Sequence, residues 1–156
     1  MTIEDDIAFL GRVPILQRLG AGALRILAIG AENYTVQAGQ MLFEAGEAAD
    51  CAYLIEHGSF TLTPQRAGDS EAVAGPGTLL GEQALLSETL RPATAIARED
   101  STVLRISRAM FLKMLESFPE AAQRLRDLIA SRAEQWARDL DNVRSALARG
   151  TGPRSG

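Results

Sequence analysis

Cysteine, histidine and tryptophan each occur once in this chain of 156 residues, as Cys51, His57 and Trp136, and that scarcity removes whole classes of chemistry. One cysteine cannot close an internal disulfide, and one histidine with no cysteine partner cannot build a metal-ligating set. No metal or cofactor is therefore expected. His57, in the turn EHGSF, reads as a solvated side chain; Cys51, opening the apolar run CAYLI, reads as a small buried thiol. Positive charge is also short, with 16 Lys and Arg against 20 Asp and Glu and a net charge of -4. Such a balance offers no polyanion-binding surface and argues against nucleic acid as a direct partner. No apolar run approaches the ~20 residues of a membrane span, because GALRILAIGA is interrupted by Arg25, and the amino terminus MTIEDD is acidic. A cytoplasmic location is expected. No G-x-S-x-G and no Walker loop occur, and GPGTLLG misses G-x-G-x-x-G because Leu80 holds the third glycine position. The expectation is a protein that is not an enzyme.

What is present is a soluble, globular composition, 46% apolar, of a size that buries roughly two-thirds of its surface as one domain. Residues 1–149 are expected to form that domain, with 150–156, GTGPRSG, as a flexible tail. Residues 3–31 carry helical periodicity: Ile7, Leu10 and Val13 recur three apart, Pro14 breaks the pattern, and AGALRILAIGA resumes it, which predicts two short helices with a kinked joint. From 33 to 107 the pattern becomes short runs between turns: YTV, MLFE, CAYLIE, SFTLT, EAVA, ATAIAR and TVLRIS. Strands this short, separated by connections too brief for crossover helices, predict an antiparallel roll or barrel.

Helical periodicity returns over 108–149. Ser107 is the predicted N-cap of a helix whose apolar face is Met110, Phe111, Met114 and Leu115. A second, longer helix is predicted from SFPE, with Ser117 and Glu120 at capping-box spacing and Pro119 in its first turn. It carries a stripe of Ile129, Ala133, Trp136, Leu140, Val143 and Leu147, flanked by the pairs Glu120/Arg124 and Glu134/Arg138. That stripe suits either packing on its own domain or homodimerisation, and Trp136 suits either the stripe or a lid over a bound ring.

The stretch GEQALLSETLRPATA, beginning at Gly81, is the remaining candidate for chemistry. Gly81 permits a tight turn, EQALL predicts a helix of one or two turns, and the free N–H groups of such a helix favour an anion. Glu82 either complements the helix dipole or accepts hydrogen bonds from ligand hydroxyls. Arg91 is either an exposed charge or a guanidinium drawn into a pocket, where bidentate pairing to phosphate is strong. A carboxylate for a diol and a guanidinium for a phosphate would together make a sugar-phosphate receptor.

The spacing of Gly81, Glu82, Ala84, Leu85, Arg91 and Ala93 closely resembles the phosphate-binding cassette of cyclic nucleotide-binding domains. This is the family of the catabolite activator protein and the regulatory subunit of cyclic-AMP-dependent protein kinase. AGQMLFEAGEAADCAYLIEHGSFTL resembles its first four strands, and the likeness runs from about residue 8 to 148. The resemblance implies a mostly β fold with flanking helices: an eight-stranded antiparallel, jelly-roll-like β-roll with N-terminal helices and two C-terminal helices. It implies a cassette over 81–93, with Gly81, Glu82, Gln83, Ala84, Leu85, Arg91, Pro92 and Ala93 around the ligand. Glu82 would take the ribose hydroxyl, Arg91 the cyclic phosphate, and backbone amides near Gly81, Ala84 and Leu85 would complete the cradle. The last helix would swing over the base and relay occupancy to a partner, with Arg132 or Trp136 capping the purine. Two positions depart from the family. Pro92 has neither the N–H nor the hydroxyl that commonly follows the arginine, which leans the expected ligand toward cAMP over cGMP, and Gln83 replaces an apolar residue. No helix-turn-helix fits into RGTGPRSG. The implied function is a cyclic nucleotide sensor; the alternative is a dimerisation or docking module that keeps the roll without binding nucleotide.

Overall fold

The computed structural model describes residues 2–65, 68 and 70–131. Its amino-terminal segment forms three helices where periodicity predicts two. Helix α1, Ile3–Leu10, opens on a capping box: Asp5 N donates to Thr2 Oγ1 at 3.2 Å and Thr2 N to Asp5 Oδ2 at 3.3 Å. Pro14, expected to break the pattern, instead starts α2, Pro14–Gln17. Proline is well suited to a first helical turn because its missing N–H has no partner there to lose. Helix α3, Ala21–Gly30, follows Gly20.

Ten strand segments follow among the described residues: β1 Glu32–Val36, β2 Met41–Phe43, β3 Ala48–Ala49, β4 Cys51–His57, β5 Phe60–Pro64, β6 Ala72–Ala74, β7 Leu79–Leu80, β8 Thr89–Leu90, β9 Ala93–Ala97 and β10 Ser101–Ser107. They make two four-stranded sheets, β1-β10-β4-β7 and β2-β9-β5-β6, with the small pair β3-β8. Every pairing is antiparallel. This is the antiparallel β-roll that the turn spacing predicts. The three extra segments, β3, β7 and β8, are two residues long each. Two residues carry no periodicity, so pieces this short read as turn in the sequence.

Strand β4 shows why CAYLIE is a continuous apolar run instead of an alternating one. Ala52 and Leu54 join Leu104 and Ile106 of β10 in a core against the helices, with Leu10, Leu16, Leu27 and Phe111. Ile55, on the opposite face, joins Val36, Phe43, Phe60 and Val103 between the two sheets. A strand buried on both faces has no solvent side to mark with polar residues. The β4–β5 turn depends on Gly58, at φ +90, where an added Cβ would collide with Ser101.

Ser107 caps helix α4, Arg108–Ser117, accepting from Met110 N at 3.2 Å, and Phe111 and Met114 are buried beneath it. The predicted boundary at Ser117 is corrected: Ser117 is the last residue of α4, and its hydroxyl donates to Lys113 O at 3.4 Å. The next helix occupies 119–131. Pro119 disfavours helical geometry in the residue before it, and Phe118 accordingly sits at φ -130 and ψ 77. Arg124 and Glu120 pair one turn apart at 3.8 Å. The rest of the predicted long helix, its stripe beyond Ile129, the Glu134/Arg138 pair, Arg132, Trp136 and the tail 150–156 lie outside the described residues. No described helix is long and apolar enough to cross a membrane.

Candidate functional site

Gly81 lies in the left-handed region at φ 78 and ψ 37 and leads into a single 3-10 turn, Glu82–Leu85. The sequence predicts one or two α-helical turns here. The tighter turn engages the Ala84 amide, which donates to Gly81 O at 3.0 Å. Ala84 and Leu85 are buried, and Leu85 belongs to the helix-side core with Phe111 and Met114. Their side chains anchor the turn from below, while Gly81, Glu82 and Gln83 face a hollow of about 410 Å³ that Ala49, Thr89, Leu90, Arg91 and Pro92 complete. That volume falls in the ~300–1,000 Å³ range of small-molecule sites. Ala49, Thr89 and Leu90 also border a second hollow of about 520 Å³, where Asp50, Glu88 and Arg108 lie.

The far side of the site is held by main chain. Arg91 N donates to Glu47 O and Gly46 N to Arg91 O, both at 2.8 Å, extending the β3-β8 pairing of Ala48 with Leu90 and Ala49 with Thr89. Both Nη atoms of Arg108 donate to Ala49 O, at 3.4 and 3.3 Å. Pro92 offers no N–H, but its carbonyl accepts from Gln65 N at 3.3 Å. Ala93 then begins β9, opposite Pro64 of β5.

Arg91 is not an exposed charge: it is 4% exposed. Its guanidinium carbon lies 4.5 Å from the ring centre of Phe43 and 5.5 Å from that of Tyr53, and the two rings stack at 6.0 Å. Nη2 donates to Cys51 Sγ at 3.3 Å. Nη1 is buried with no hydrogen-bond partner and lies beside Gly81, where any Cβ would strike it. No carboxylate of the described residues lies within ion-pair distance of Arg91; the nearby Asp50 pairs with Arg105 at 3.5 Å. A buried cation that is short of partners is costly unless something anionic joins it. Burial, then the hydrogen bond of Cys51, push the Tyr53 hydroxyl up to about 12, so it stays a neutral phenol.

The fold thus brings together Gly81, Glu82, Gln83, Arg91 and Pro92 around one hollow, puts Ala84 and Leu85 in the core behind it, and leaves Ala93 outside the lining, at the start of β9. Sequence reasoning missed Phe43, Cys51 and Tyr53 as the surroundings of Arg91. The available signal was the two-residue spacing of Cys51 and Tyr53, which sets both on one face of β4. Nothing local to Phe43 or Arg91 revealed that β2 would supply the second ring.

The cyclic nucleotide-binding domain family model matches residues 34–118, more than half of the chain. A solved cyclic nucleotide-binding-like protein from Brucella abortus is 41% identical, covers 72% of this chain and 98% of its own, and superposes with a TM-score of 0.65. The amino-terminal domain of a transcriptional regulator from Streptomyces coelicolor is 26% identical with a TM-score of 0.77, covering 85% of this chain and 94% of its own. The cyclic AMP receptor protein of Thermus thermophilus is 34% identical over 106 residues, 66% of this chain and 49% of that protein. The chain spans about half or less of the curated relatives it matches. Matched across its roll and helix α4, and carrying a turn glycine and a buried arginine around one hollow, the chain belongs to the cyclic nucleotide-binding domain family.

Proposed function

We propose that residues 1–149 form a cytoplasmic, non-catalytic sensor that binds a cyclic nucleotide and passes its occupancy to a protein partner. The observation that carries this reading is the Arg91 guanidinium, buried with one unpartnered nitrogen and no described carboxylate beside it. A cyclic phosphate supplies the missing negative charge, and charge-assisted bonds to a guanidinium are about twice as strong as neutral ones. In this reading Glu82 accepts from the ribose 2'-hydroxyl, Gly81 lets the ligand approach the backbone, and Gln83, Ala84 and Leu85 shape the turn. Pro92 and Ala93 close the cassette beyond Arg91. Arg132 or Trp136 caps the base, and the carboxy-terminal helix carries the signal or a homodimer contact.

Proline at position 92 removes one donor toward the phosphate. A lost hydrogen bond to a charged group weakens binding by about 1.5–3 kcal/mol, roughly 10- to 100-fold. It also removes the hydroxyl that would favour guanine, so cAMP is expected to bind more tightly than cGMP. Titration calorimetry with both nucleotides tests the reading, with Arg91→Ala losing all measurable heat. Absence of binding by the parent protein at millimolar nucleotide would overturn it. The second reading, a nucleotide-independent dimerisation or docking module, draws on Pro92 and on the engaged Ala84 amide, and that absence of binding would favour it.

A further inference from the structure

Arg91 is oriented by an unusual set of neighbours. Its charge rests on two aromatic faces, Phe43 and Tyr53, and one Nη reaches a single acceptor, Cys51 Sγ. Cys51 is 1% exposed, at the start of β4, and its backbone is fixed by pairing with Ser107 of β10. A thiol sulfur is a weak acceptor and carries no formal charge as SH. It aims the guanidinium fork without cancelling its charge. A carboxylate of nearly the same size at that position would form a bidentate ion pair with Arg91 and fill the role of an incoming anion. The acid next in sequence, Asp50, pairs with Arg105 at 3.5 Å, and no carboxylate of the described residues lies within ion-pair distance of Arg91.

We propose that Cys51 is a positioning residue for the anion site: an acceptor that holds the Arg91 guanidinium in place while leaving its charge for the ligand. The proposal rests on the nucleotide-binding reading above, and it assigns the lone cysteine a task other than filling space. It sets two properties in opposition. An acid at position 51 stabilises the ligand-free protein and weakens ligand binding, whereas a residue that merely packs moves stability and affinity in the same direction.

The test compares Cys51→Asp with its neutral isostere Cys51→Asn, using calorimetric titration with cAMP and thermal unfolding without ligand. Cys51→Asn is expected to bind within about threefold of the parent. Cys51→Asp is expected to lose at least roughly tenfold in affinity, the lower bound for a close charge pair, while melting at a higher temperature than Cys51→Asn. Equal affinities for the two variants, or an Asp variant that melts below the Asn variant, would overturn the proposal. If either variant does not fold, Cys51→Ser and Cys51→Ala decide. Serine keeps an acceptor and should bind within about threefold of the parent; alanine should bind at least threefold more weakly than serine, and equality of the two overturns the proposal. Should the parent bind no cAMP, the nucleotide reading fails, and the ligand-free melting order still decides whether position 51 faces the guanidinium.

Discussion

Gly81 and Arg91 are ten positions apart in the chain, yet a single methyl group added to the first would collide with the second. Gly81→Ala is therefore expected to act twice. The left-handed backbone at φ 78 costs an L-residue about 1–2 kcal/mol, and the new Cβ displaces Nη1 from its place beside the turn. Unfolding in denaturant should show the stability loss, and cAMP titration should show a fall in affinity larger than that loss alone explains. An affinity that stays at the parent value would mean that Nη1 does not face the ligand. Arg91→Lys is a complementary case. It keeps the charge but loses the planar fork that stacks on Phe43 and donates to Cys51, so roughly tenfold weaker binding is expected by calorimetry. At this scale the identities of Gly81 and Arg91 were legible from the cassette, because a turn glycine and an arginine between apolar pairs stand out in a row of letters. Cys51 was legible only as a buried thiol, since its partner is forty positions away and faces it only after β4 and the β8–β9 connection come together.

Elements are fastened to the roll by particular buried groups. Asp6 of α1 and Glu56 of β4 are both buried, at 5% and 2% exposure, and each has a carboxyl oxygen with no partner. Burial first, then the hydrogen bond and charge of Asp6, push Glu56 up to about 8. A glutamate in the unfolded chain titrates near 4.3, so between about 4.3 and 8 the folded protein holds a proton that the unfolded chain has released. Stability is greatest below that window, declines as pH rises through it, and levels off above it. Melting temperatures at about pH 5 and about pH 9 should fall for the parent and fall much less for Glu56→Gln, which carries no titrating carboxyl. Identical slopes would show that another group governs the change. The cassette turn has its own fastening in Leu85, 1% exposed. Leu85→Ala is expected to cost about 2–5 kcal/mol in chemical denaturation, and a cost under ~1 kcal/mol would mean the turn is not anchored in the core. The sequence made α4 and its Ser107 cap legible, through a hydroxyl followed by an apolar stripe. It did not show that Pro14 begins a helix, because proline breaks a pattern and starts one with the same missing N–H.

For the molecule as a whole, the sheet β1-β10-β4-β7 is the shared wall between two cores, one against the other sheet and one against the helices. The site sits on this wall: Arg91 leans on Phe43 and Tyr53 at the edge of the first core, while Leu85 enters the second beside Phe111 and Met114 of α4. Ligand occupancy and the position of α4 are consequently expected to be coupled. Hydrogen exchange should slow on cAMP binding both in 81–91 and in α4, and protection confined to the cassette would rule out a relay through this helix. The sequence by itself determined the antiparallel roll and the flanking helices, because short strands, helical stripes and turn glycines are local patterns whose spacing survives in one dimension. Tertiary structure alone decided what surrounds the arginine: two aromatic faces and a thiol, with no described carboxylate in reach. Those neighbours come from β2 and β4, tens of residues away along the chain, and only closure of the roll sets them against one guanidinium, where distance and burial determine how much charge remains for a ligand.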